Sequence, residues 1–348
     1  MIATPVAIAV DGGGSKTDVV AVGPDGSVLG HARGPGSNPQ VFGLEAAVAV
    51  VGALVTEVRR SVGPHELRKV DVYLAGLDLP AEIEAFRNGV ERADWADGMA
   101  GEPLVIENDL FALLRAGAAG RDAVAVVCGT GINAVGRRAD GATARFPALG
   151  PISGDWGGGG SLGMQALWHA ARSEDGRGPR SVLQDLVPPA FGCTTVMEVV
   201  EGLHFGRLSQ RSIAHLTPLV FEAARAGDPL ARGEIAHQAE EIVTMAATAL
   251  RRLGLLGSPV PVVLGGGVLA ANEPMLLDPV RHGLADVAPH SVVELVTVPP
   301  IVGAVLLVLE SLAAPEDALA RARAQVIELY VSGGVAARYE EGGRQPVH

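Results

Sequence analysis

Two distant segments of the chain share one pattern, in which a short apolar strand is followed by a glycine-rich turn and a second apolar strand. The first turn is Gly12-Gly13-Gly14, after the strand at residues 6–10, and the second is Gly129-Thr130-Gly131, after the strand at residues 123–128. A third strand follows each pair across an Asp-Gly turn. Two meanders of this kind predict a duplicated domain.

After each meander, helical and strand patterns alternate along the chain, which is typical of a sheet covered by helices. The predicted fold class is therefore α/β, and 348 residues are enough for two domains. We expect an N-terminal domain over residues 1–118 and a C-terminal domain with helical insertions over residues 119–312. A C-terminal helix and tail are expected over residues 313–348.

Composition excludes several functional classes. Hydrophobic residues make up 48% of the chain, and the net charge is −12. This acidic balance argues against general binding to nucleic acid or to an anionic membrane, because a phosphate polymer would be repelled. No apolar stretch approaches the roughly 20 residues that cross a bilayer. Cys128 and Cys193 are too few for a disulfide framework or a zinc cluster, so we expect a cytoplasmic protein.

Glycine accounts for 46 residues and is clustered, and each cluster fits a common phosphate motif imperfectly. Asp11–Thr17 ends like a P-loop, but Ser15 stands where that motif requires glycine, and the segment joins two strands. Three segments fit the loose dinucleotide pattern: residues 129–134, 158–163 and 265–270. Only residues 265–270 follow a strand and precede a helix, with Asp286 about 20 residues further on. A nicotinamide-dependent oxidoreductase therefore stays open as an alternative.

Taken as one set, the glycine clusters resemble the phosphate 1, phosphate 2 and adenosine motifs of the actin/hexokinase/Hsp70 superfamily. The matching segments, in that order, are Asp11–Gly14, Gly129–Gly131 and Gly265–Gly267. The resemblance implies two actin-like (ribonuclease H-like) domains with an interdomain cleft, and ATP and Mg²⁺ as cofactors. Turns without Cβ atoms let backbone N–H groups approach phosphate oxygens closely.

Within this superfamily the chain resembles the N-acetylglucosamine kinase branch, grouped with the BadF/BadG/BcrA/BcrD-type ATPases. The segments that carry the resemblance are Gly34–Pro39, Leu74–Asp78, Glu107–Asp109, Gly129–Asn133 and Gly154–Asp155. The resemblance implies an ATP-dependent kinase that phosphorylates an amino sugar, N-acetylglucosamine or glucosamine, at the 6-hydroxyl. It also implies that the protein is a homodimer and that its substrate is a small-molecule sugar.

The resemblance assigns a role to individual residues. Asp109 would be the general base for the sugar hydroxyl, and Asp11 would hold Mg²⁺ through water. The residues implied to bind the sugar are Asn38, Gly76, Asp109, Thr130, Gly131, Asn133 and Asp155. Those implied to bind the nucleotide are Gly13, Gly14, Ser15, Lys16, Thr17, Gly129, Thr130, Gly265, Gly266 and Gly267. Phosphoryl transfer to a hydroxyl needs one positioned carboxylate, a metal and charge-neutralising donors, so the chemistry agrees with these roles.

More ordinary roles stay open for three of these residues. Asp109 directly precedes a predicted helix that begins at Leu110, so it would also serve as an N-cap. Asn38 stands before Pro39 and would also serve as a turn residue. Lys16 would also serve as a solvated hairpin cation.

One segment departs from the family pattern. Where the family has Glu and Ser after Gly154-Asp155, this chain has Trp156 and then Gly157–Gly160, which we interpret as a flexible run. In the family this loop lies near the amino or acetamido end of the sugar. Trp156 would stack on a pyranose face or reduce the pocket, so the choice between N-acetylated, free amino and neutral sugars stays open.

Two further alternatives come from the same superfamily. A sugar-sensing protein would keep the fold without catalysis, as in sugar-responsive repressors, but those usually carry an N-terminal helix-turn-helix, whereas the first strand here begins by residue 6. An iron–sulfur activator would bridge a cluster with two cysteines from each subunit. Cys128 instead ends a buried strand, where cysteine commonly serves as a small hydrophobic residue.

Overall fold

The computed structural model describes residues 4–93, 95 and 104–332. Contacts divide the chain into two compact units. The first is formed by the described residues of Met1–Ala119 and Val296–His348, and the second by Gly120–Leu295. Each unit is built on a five-stranded mixed sheet with helices. The predicted α/β fold class with two domains is therefore confirmed.

The first sheet has the strand order β3-β2-β1-β4-β5. Its strands are β1 (Thr4–Gly12), β2 (Lys16–Val22), β3 (Val28–Pro35), β4 (His65–Leu74) and β5 (Val105–Asn108). The first three form an antiparallel meander, and β4 and β5 extend it in parallel with β1. The helices of this part are α1 (Pro39–Phe42), α2 (Leu44–Val62), α3 (Pro80–Glu91) and α4 (Leu110–Gly117).

The second sheet repeats this arrangement with the order β10-β9-β6-β7-β8. Its strands are β6 (Ala123–Cys128), β7 (Ile132–Arg137), β8 (Thr143–Arg145), β9 (Pro261–Gly265) and β10 (Val292–Leu295). Strands β6 to β8 form an antiparallel meander, and β9 and β10 run parallel to β6. Matching pairing in the two sheets confirms the predicted duplication.

The helices of the second unit lie mainly between β8 and β9. They are α5 (Gly158–Glu174), α6 (Leu183–Ala190), α7 (Val196–His204), α8 (Thr217–Arg225), α9 (Pro229–Arg252), α10 (Gly267–Ala270) and α11 (Pro274–Val287). The sequence pattern did not predict α6, because Pro188 and Pro189 lie inside it. The sequence pattern of residues 212–226 predicts one helix, but the structure has a 3₁₀ segment (Gln210–Leu216) followed by α8. Pro218 has no N–H to continue the earlier hydrogen bonds, so a new helix begins there.

The chain then returns to the first unit with α12 (Ile301–Ser311) and α13 (Glu316–Ser332). This differs from the predicted second domain over residues 119–312, because α12 packs on α4 and β1. Helices α12 and α4 approach each other closely, since a Cβ on Gly303 would lie 1.8 Å from the carbonyl oxygen of Ala112. The predicted tail from residue 333 onward lies outside the described residues. Among the helices that the structure describes, none has the length and apolar content of a membrane span.

The strand β1 is buried along most of its length, because helices cover both faces of the first sheet. Val6, Ile8 and Val10 lie in one core with Val51 and Val55 of α2. The spacing of four between the two valines places both on the same face of the helix. This packing leaves polar side chains only at the strand ends, where the Asp11 hairpin begins.

An ion pair is buried within β4. Nζ of Lys69 lies 3.9 Å from Oδ1 of Asp71, and both side chains are almost fully covered. This Oδ1 atom has no hydrogen-bond partner. Burial raises the pKa of Asp71 to about 7, with the charge of Lys69 acting in the opposite direction. The carboxyl is therefore costly to ionise in the folded chain.

Asp71 should make stability depend on pH. A carboxyl with a raised pKa in the folded state stabilises the fold below its ordinary pKa of 3.8, and this contribution is lost as the pH rises to about 7. We expect Asp71→Asn to gain stability relative to the wild type between about pH 5 and about pH 8, since asparagine does not ionise. Urea unfolding midpoints of both proteins across this range measure the effect. The exposed Glu66→Gln on the same strand is the control, and a pH-independent difference for Asp71→Asn would contradict the argument.

Candidate active site

A tight hairpin joins β1 to β2 in the first unit. Gly12 pairs with Thr17 across the hairpin, and the N–H of Gly13 donates to the carbonyl of Lys16 at 2.9 Å. A Cβ on Gly12 would lie 2.2 Å from Oγ of Ser37. The N–H of Ser37 in turn donates to the carbonyl of Gly13 at 3.0 Å. The hairpin therefore packs directly on the segment 34–39, which contains the implied sugar-binding residue Asn38.

Asp11 is the penultimate residue of β1, and only 9% of its surface is exposed. Burial raises its pKa well above the ordinary value, and the charges of Asp109 and Asp18 raise it further. Lys16 and Arg33 act in the opposite direction but do not cancel these effects. A bound cation would stabilise the ionised form of Asp11.

Mg²⁺ fits this position only with few protein ligands. Among the described residues, no three His, Cys, Asp or Glu side chains converge to hold a metal ion. Mg²⁺ commonly keeps several waters and takes one or two carboxylates together with phosphate oxygens. One buried carboxylate beside an open glycine turn matches that coordination. Space for phosphate exists there, because a Cβ on Gly14 would meet no atom within 4 Å.

The neighbouring residues of β2 are held by polar contacts. The hydroxyl of Thr17 is fully buried and donates to the carbonyl of Pro35 at 2.7 Å, and it accepts from the Ser37 hydroxyl, whose Oγ lies 2.8 Å away. The hydrogen bonds of this hydroxyl are therefore made within the first unit. Nζ of Lys16 lies 3.5 Å from Oδ2 of Asp18, and its side chain is 42% exposed. Lys16 is therefore a paired hairpin cation with one side open to solvent.

Asn38 and Gly76 lie in direct contact. Oδ1 of Asn38 accepts hydrogen bonds from the N–H groups of Gln40 at 2.8 Å and Val41 at 3.3 Å, so Asn38 caps α1 instead of serving as a simple turn residue. Gly76 has φ +79°, and a Cβ there would lie 2.3 Å from the same Oδ1. Only glycine permits this contact. Two predicted sugar-binding residues are thus brought together at one strand end.

Asp109 lies at the end of β5, next to β4, and its N–H donates to the carbonyl of Leu74 at 3.2 Å. It occupies the N-cap position of α4, but its side chain makes no capping hydrogen bond. Oδ1 of Asn108 instead accepts the N–H of Leu110 at 3.0 Å. The cap predicted for Asp109 is therefore provided by its neighbour, which leaves the carboxylate of Asp109 available for another role.

The carboxylate of Asp109 is set up to hold a proton near neutral pH. Its Oδ1 atom is buried without a hydrogen-bond partner. Burial raises the pKa of Asp109 to about 7, the charge of Asp78 adds to the increase, and nearby backbone N–H groups oppose it. Nδ2 of Asn108 donates to Oδ1 of Asp78 at 2.9 Å. A carboxyl with such a pKa suits general acid–base work.

In the second unit, a similar hairpin joins β6 to β7. Cys128 pairs with Ile132, and the N–H of Gly129 donates to the carbonyl of Gly131 at 2.9 Å. Thr130 and Gly131 are exposed at its tip. Gly266 lies against the base of this hairpin with φ +92°, and a Cβ there would lie 2.5 Å from the carbonyl carbon of Cys128. The predicted phosphate 2 and adenosine turns therefore lie in contact at the ends of two parallel strands.

The run Gly157–Gly160 differs from the flexible segment that the sequence suggested. It forms the start of α5, because the N–H of Gly159 donates to the carbonyl of Gly129 at 2.7 Å and that of Gly160 to Thr130 at 2.8 Å. A Cβ on Gly158 would lie 2.5 Å from the backbone of Gly131. Small residues are needed here because the helix begins directly on the hairpin.

Buried polar side chains fix this helix start. Oε1 of Gln238 accepts the N–H of Gly158 at 2.7 Å, and Oγ1 of Thr217 donates to the carbonyl of Gly159 at 2.9 Å. Gln238 is fully buried, and its Nε2 atom has no partner. The sequence gave no signal for it, because a glutamine inside the long helix α9 looks like any surface residue.

The remaining predicted sugar-binding residues lie in the same unit. Asn133 is buried, and its Oδ1 accepts the N–H of Ala134 at 2.7 Å. Asp155 accepts a hydrogen bond from the hydroxyl of Ser153. Trp156 stacks on His237 with ring centroids 3.9 Å apart and planes 20° apart. One face of the indole is thus covered by protein, so stacking of a sugar is left to the other face.

The structure divides the predicted site residues between the two units. Asp11, Gly13, Gly14, Ser15, Lys16, Thr17, Asn38, Gly76 and Asp109 lie in the first. Gly129, Thr130, Gly131, Asn133, Asp155, Gly265, Gly266 and Gly267 lie in the second. Sequence reasoning missed the supporting residues Ser37 and Asp78, although both lie inside segments that it had singled out.

Gly266 allows a direct stability test of the contact between the two turns. We expect Gly266→Ala to lower the free energy of unfolding by about 2 kcal/mol, because alanine is strained at positive φ and its Cβ would overlap Cys128. Gly267→Ala is the matched control, since a Cβ there meets nothing within 4 Å. Urea unfolding measures both. Equal losses for the two variants would contradict the packing described here.

Comparison with known proteins gives two relatives at the level of sequence. An N-acetyl-D-glucosamine kinase from Dictyostelium discoideum is 26% identical over 313 residues, which cover 87% of this chain and 98% of that protein. An N-acetylmuramic acid/N-acetylglucosamine kinase from Clostridium acetobutylicum is 26% identical over 265 residues, covering 75% of this chain and 85% of that protein.

A solved structure shares the fold described above. The crystal structure of a candidate N-acetylglucosamine kinase from Chromobacterium violaceum superposes with a TM-score of 0.64 at 25% identity, covering 87% of this chain and 98% of that one. Residues 8–308, which include the glycine turns and Asp109, match the model of one family. The chain therefore belongs to the BadF/BadG/BcrA/BcrD ATPase family.

Proposed function

We propose that the protein is an ATP-dependent kinase that phosphorylates an amino sugar, N-acetylglucosamine or glucosamine, at the 6-hydroxyl. The observation that carries the proposal is Asp109, a carboxylate at a strand end with an unpartnered, buried oxygen and a pKa raised to about 7. Family membership supports the use of ATP, and the two relatives support a sugar acceptor. The proposal includes a cytoplasmic homodimer, as the family resemblance implies.

Asp109 is proposed as the general base. It accepts the proton of the sugar hydroxyl as the hydroxyl oxygen attacks the γ-phosphorus of ATP, and the bond between that phosphorus and the β–γ bridging oxygen breaks to release ADP. Asn38 and Gly76 orient the sugar beside it, since the Oδ1 of Asn38 is fixed by capping and only its Nδ2 group is left to donate to a sugar oxygen. Because the transition state needs little covalent help, positioning of the hydroxyl is the main contribution of these residues.

Charge on the phosphates is proposed to be neutralised by the glycine turns and Lys16. Backbone N–H groups of Gly14 and Ser15 in the first unit, and of Thr130 and Gly131 in the second, are assigned to phosphate oxygens. When bound, Mg²⁺ would neutralise the β- and γ-phosphate oxygens, and Asp11 would hold it through water. The turn at Gly265–Gly267 is assigned to the nucleoside.

The acceptor sugar is proposed to be selected near Trp156. His237 holds the indole in one orientation, so Trp156 would form a fixed wall of the sugar site. A fixed aromatic wall favours contact with the apolar face of a pyranose ring and leaves less room for a bulky substituent. Glucosamine and N-acetylglucosamine therefore stand as competing acceptors within the proposal.

A coupled ADP-release assay tests the proposed acceptor class. The purified protein with Mg·ATP would be given glucosamine, N-acetylglucosamine, N-acetylmannosamine, a muramic-type sugar and glucose in separate reactions. We expect ADP release above the sugar-free background with one of the first two, and the highest kcat/KM there. No sugar-dependent release with any of the five would overturn the kinase proposal and favour a sensor of the same fold.

A further inference from the structure

A row of side chains crosses the first sheet next to the Asp11 hairpin. Asp11 pairs with Asp18 across β1 and β2, and Asp18 pairs with Arg33 across β2 and β3. Like charges that lie directly opposite each other in a sheet are destabilising. Arg33 relieves this repulsion, because it donates from Nε to Oδ1 of Asp18 at 2.6 Å and from Nη2 to Oδ2 at 3.0 Å.

Tyr330 of the C-terminal helix α13 completes this row. The guanidinium of Arg33 lies 4.8 Å from the centre of the Tyr330 ring, within the range of a cation–π contact. Burial and the charge of nearby Asp18 raise the pKa of Tyr330, so the phenol stays protonated beside that carboxylate. Arg33 is thus held between a carboxylate and an aromatic ring.

Other contacts attach α13 to the unit without Tyr330. Oε1 of Gln325 accepts the N–H of Val28 at 2.8 Å, and Arg321 donates to the carbonyl of Asp25. A Cβ on Gly26 would lie 1.9 Å from the carbonyl oxygen of Ala318, so the helix lies directly on the β2–β3 turn. Loss of the Tyr330 side chain therefore leaves the helix anchored at its other end.

The charge of Asp18 is shared between two cations. Arg33 takes both carboxylate oxygens, while Nζ of Lys16 stays 3.5 Å from Oδ2 with its side chain partly exposed. If Arg33 moved away, Lys16 would become the main partner of Asp18. Lys16 would then lie against the strand instead of extending toward an anion at the hairpin.

We propose that Tyr330 is a positioning residue for phosphate binding at the hairpin between β1 and β2. Tyr330 holds Arg33 on Asp18 and so keeps Lys16 available to the nucleotide phosphates. The inference rests on the proposed function in one respect, namely that the hairpin binds Mg·ATP. It assigns a role to the C-terminal helix, whose part in the chemistry the sequence left open.

Calorimetric binding of Mg·ATP to the full-length protein tests this role and requires no acceptor sugar. We expect Tyr330→Leu to weaken binding by about fivefold, since both the ring and the hydroxyl are lost, and Tyr330→Phe, which keeps the ring, to recover most of it. Gln325→Ala is the matched control, because it removes an anchor of the same helix away from Asp18. An equal loss in Gln325→Ala would overturn the proposal, since general loosening of α13 would then suffice.

A double-mutant cycle with Lys16→Ala separates positioning from simple destabilisation. If Tyr330 acts through Lys16, Tyr330→Leu has almost no further effect on the dissociation constant once Lys16 is removed. A full additional loss in the Lys16→Ala background would overturn the proposal. Wild-type protein that binds Mg·ATP but phosphorylates no sugar would overturn only the proposed function, whereas failure to bind Mg·ATP would overturn both.

Discussion

Asp109→Asn is expected to lower sugar-dependent turnover by about 10³-fold while changing the dissociation constant of Mg·ATP by less than about threefold. Asparagine keeps the shape of the side chain but cannot accept the proton of the sugar hydroxyl. Binding of the nucleotide should persist, because the glycine turns and Lys16 are untouched. Steady-state kinetics of ADP release, together with calorimetry for Mg·ATP, measure the two effects separately.

A nearby carboxylate provides the control for this variant. Glu107 lies on the same strand end, two residues before Asp109, and has no role in the proposed chemistry. Glu107→Gln should therefore retain turnover within about threefold. Turnover of Asp109→Asn near the wild-type level would remove Asp109 as the base, and an equal loss in both variants would point to general disruption of the strand end.

Asp11→Asn should lower turnover without lowering the stability of the fold. The carboxyl of Asp11 is buried beside Asp18 and Asp109, and its ionised form is unfavourable without a cation. Removing the charge should leave stability unchanged or increase it. Turnover should fall by about 100-fold at the Mg²⁺ concentration that saturates the wild type, and half-maximal turnover should require more Mg²⁺, because the metal loses its carboxylate. Kinetics over a Mg²⁺ titration and urea unfolding measure the two quantities.

Asp18→Asn is the contrasting variant for the stability measurement. Arg33 depends on both oxygens of Asp18, so this substitution leaves a buried guanidinium with a weaker partner and should lower stability. Opposite signs for Asp11→Asn and Asp18→Asn would fit the charge arrangement at the hairpin. A wild-type Mg²⁺ dependence in Asp11→Asn would rule out its metal role.

The sequence predicted the architecture well because repeated local patterns encode it. The meanders around Gly12–Gly14 and Gly129–Gly131 were visible as apolar alternation broken by glycine, and the two matching sheets confirm the duplication. Family membership, which the joint pattern of segments indicated, is also confirmed. The return of residues 296–332 to the first unit was not visible, because the apolar run at residues 301–309 of α12 predicts a buried helix but not the sheet that it covers.

Within the candidate site, the sequence identified the glycine turns better than it identified the side chains that hold those turns in place. The contact between Gly266 and Cys128 follows from parallel strands that end side by side, so the motif order alone made it plausible. Gln238 and Tyr330 could not be predicted, since each acts at a contact between elements far apart in the chain. The helical start at Gly157–Gly160 was missed because glycine disfavours helices, and only close packing on Gly131 explains it.

The most direct measurement of the central claim is identification of the product. The purified protein would be incubated with Mg·ATP and glucosamine or N-acetylglucosamine, and the product examined by mass spectrometry and by ³¹P–¹H correlation NMR. The account predicts one phosphate added per sugar, coupled to the protons on C6, with ADP formed in equal amount. A phosphate on another hydroxyl, or ADP and inorganic phosphate with no sugar phosphate, would contradict it.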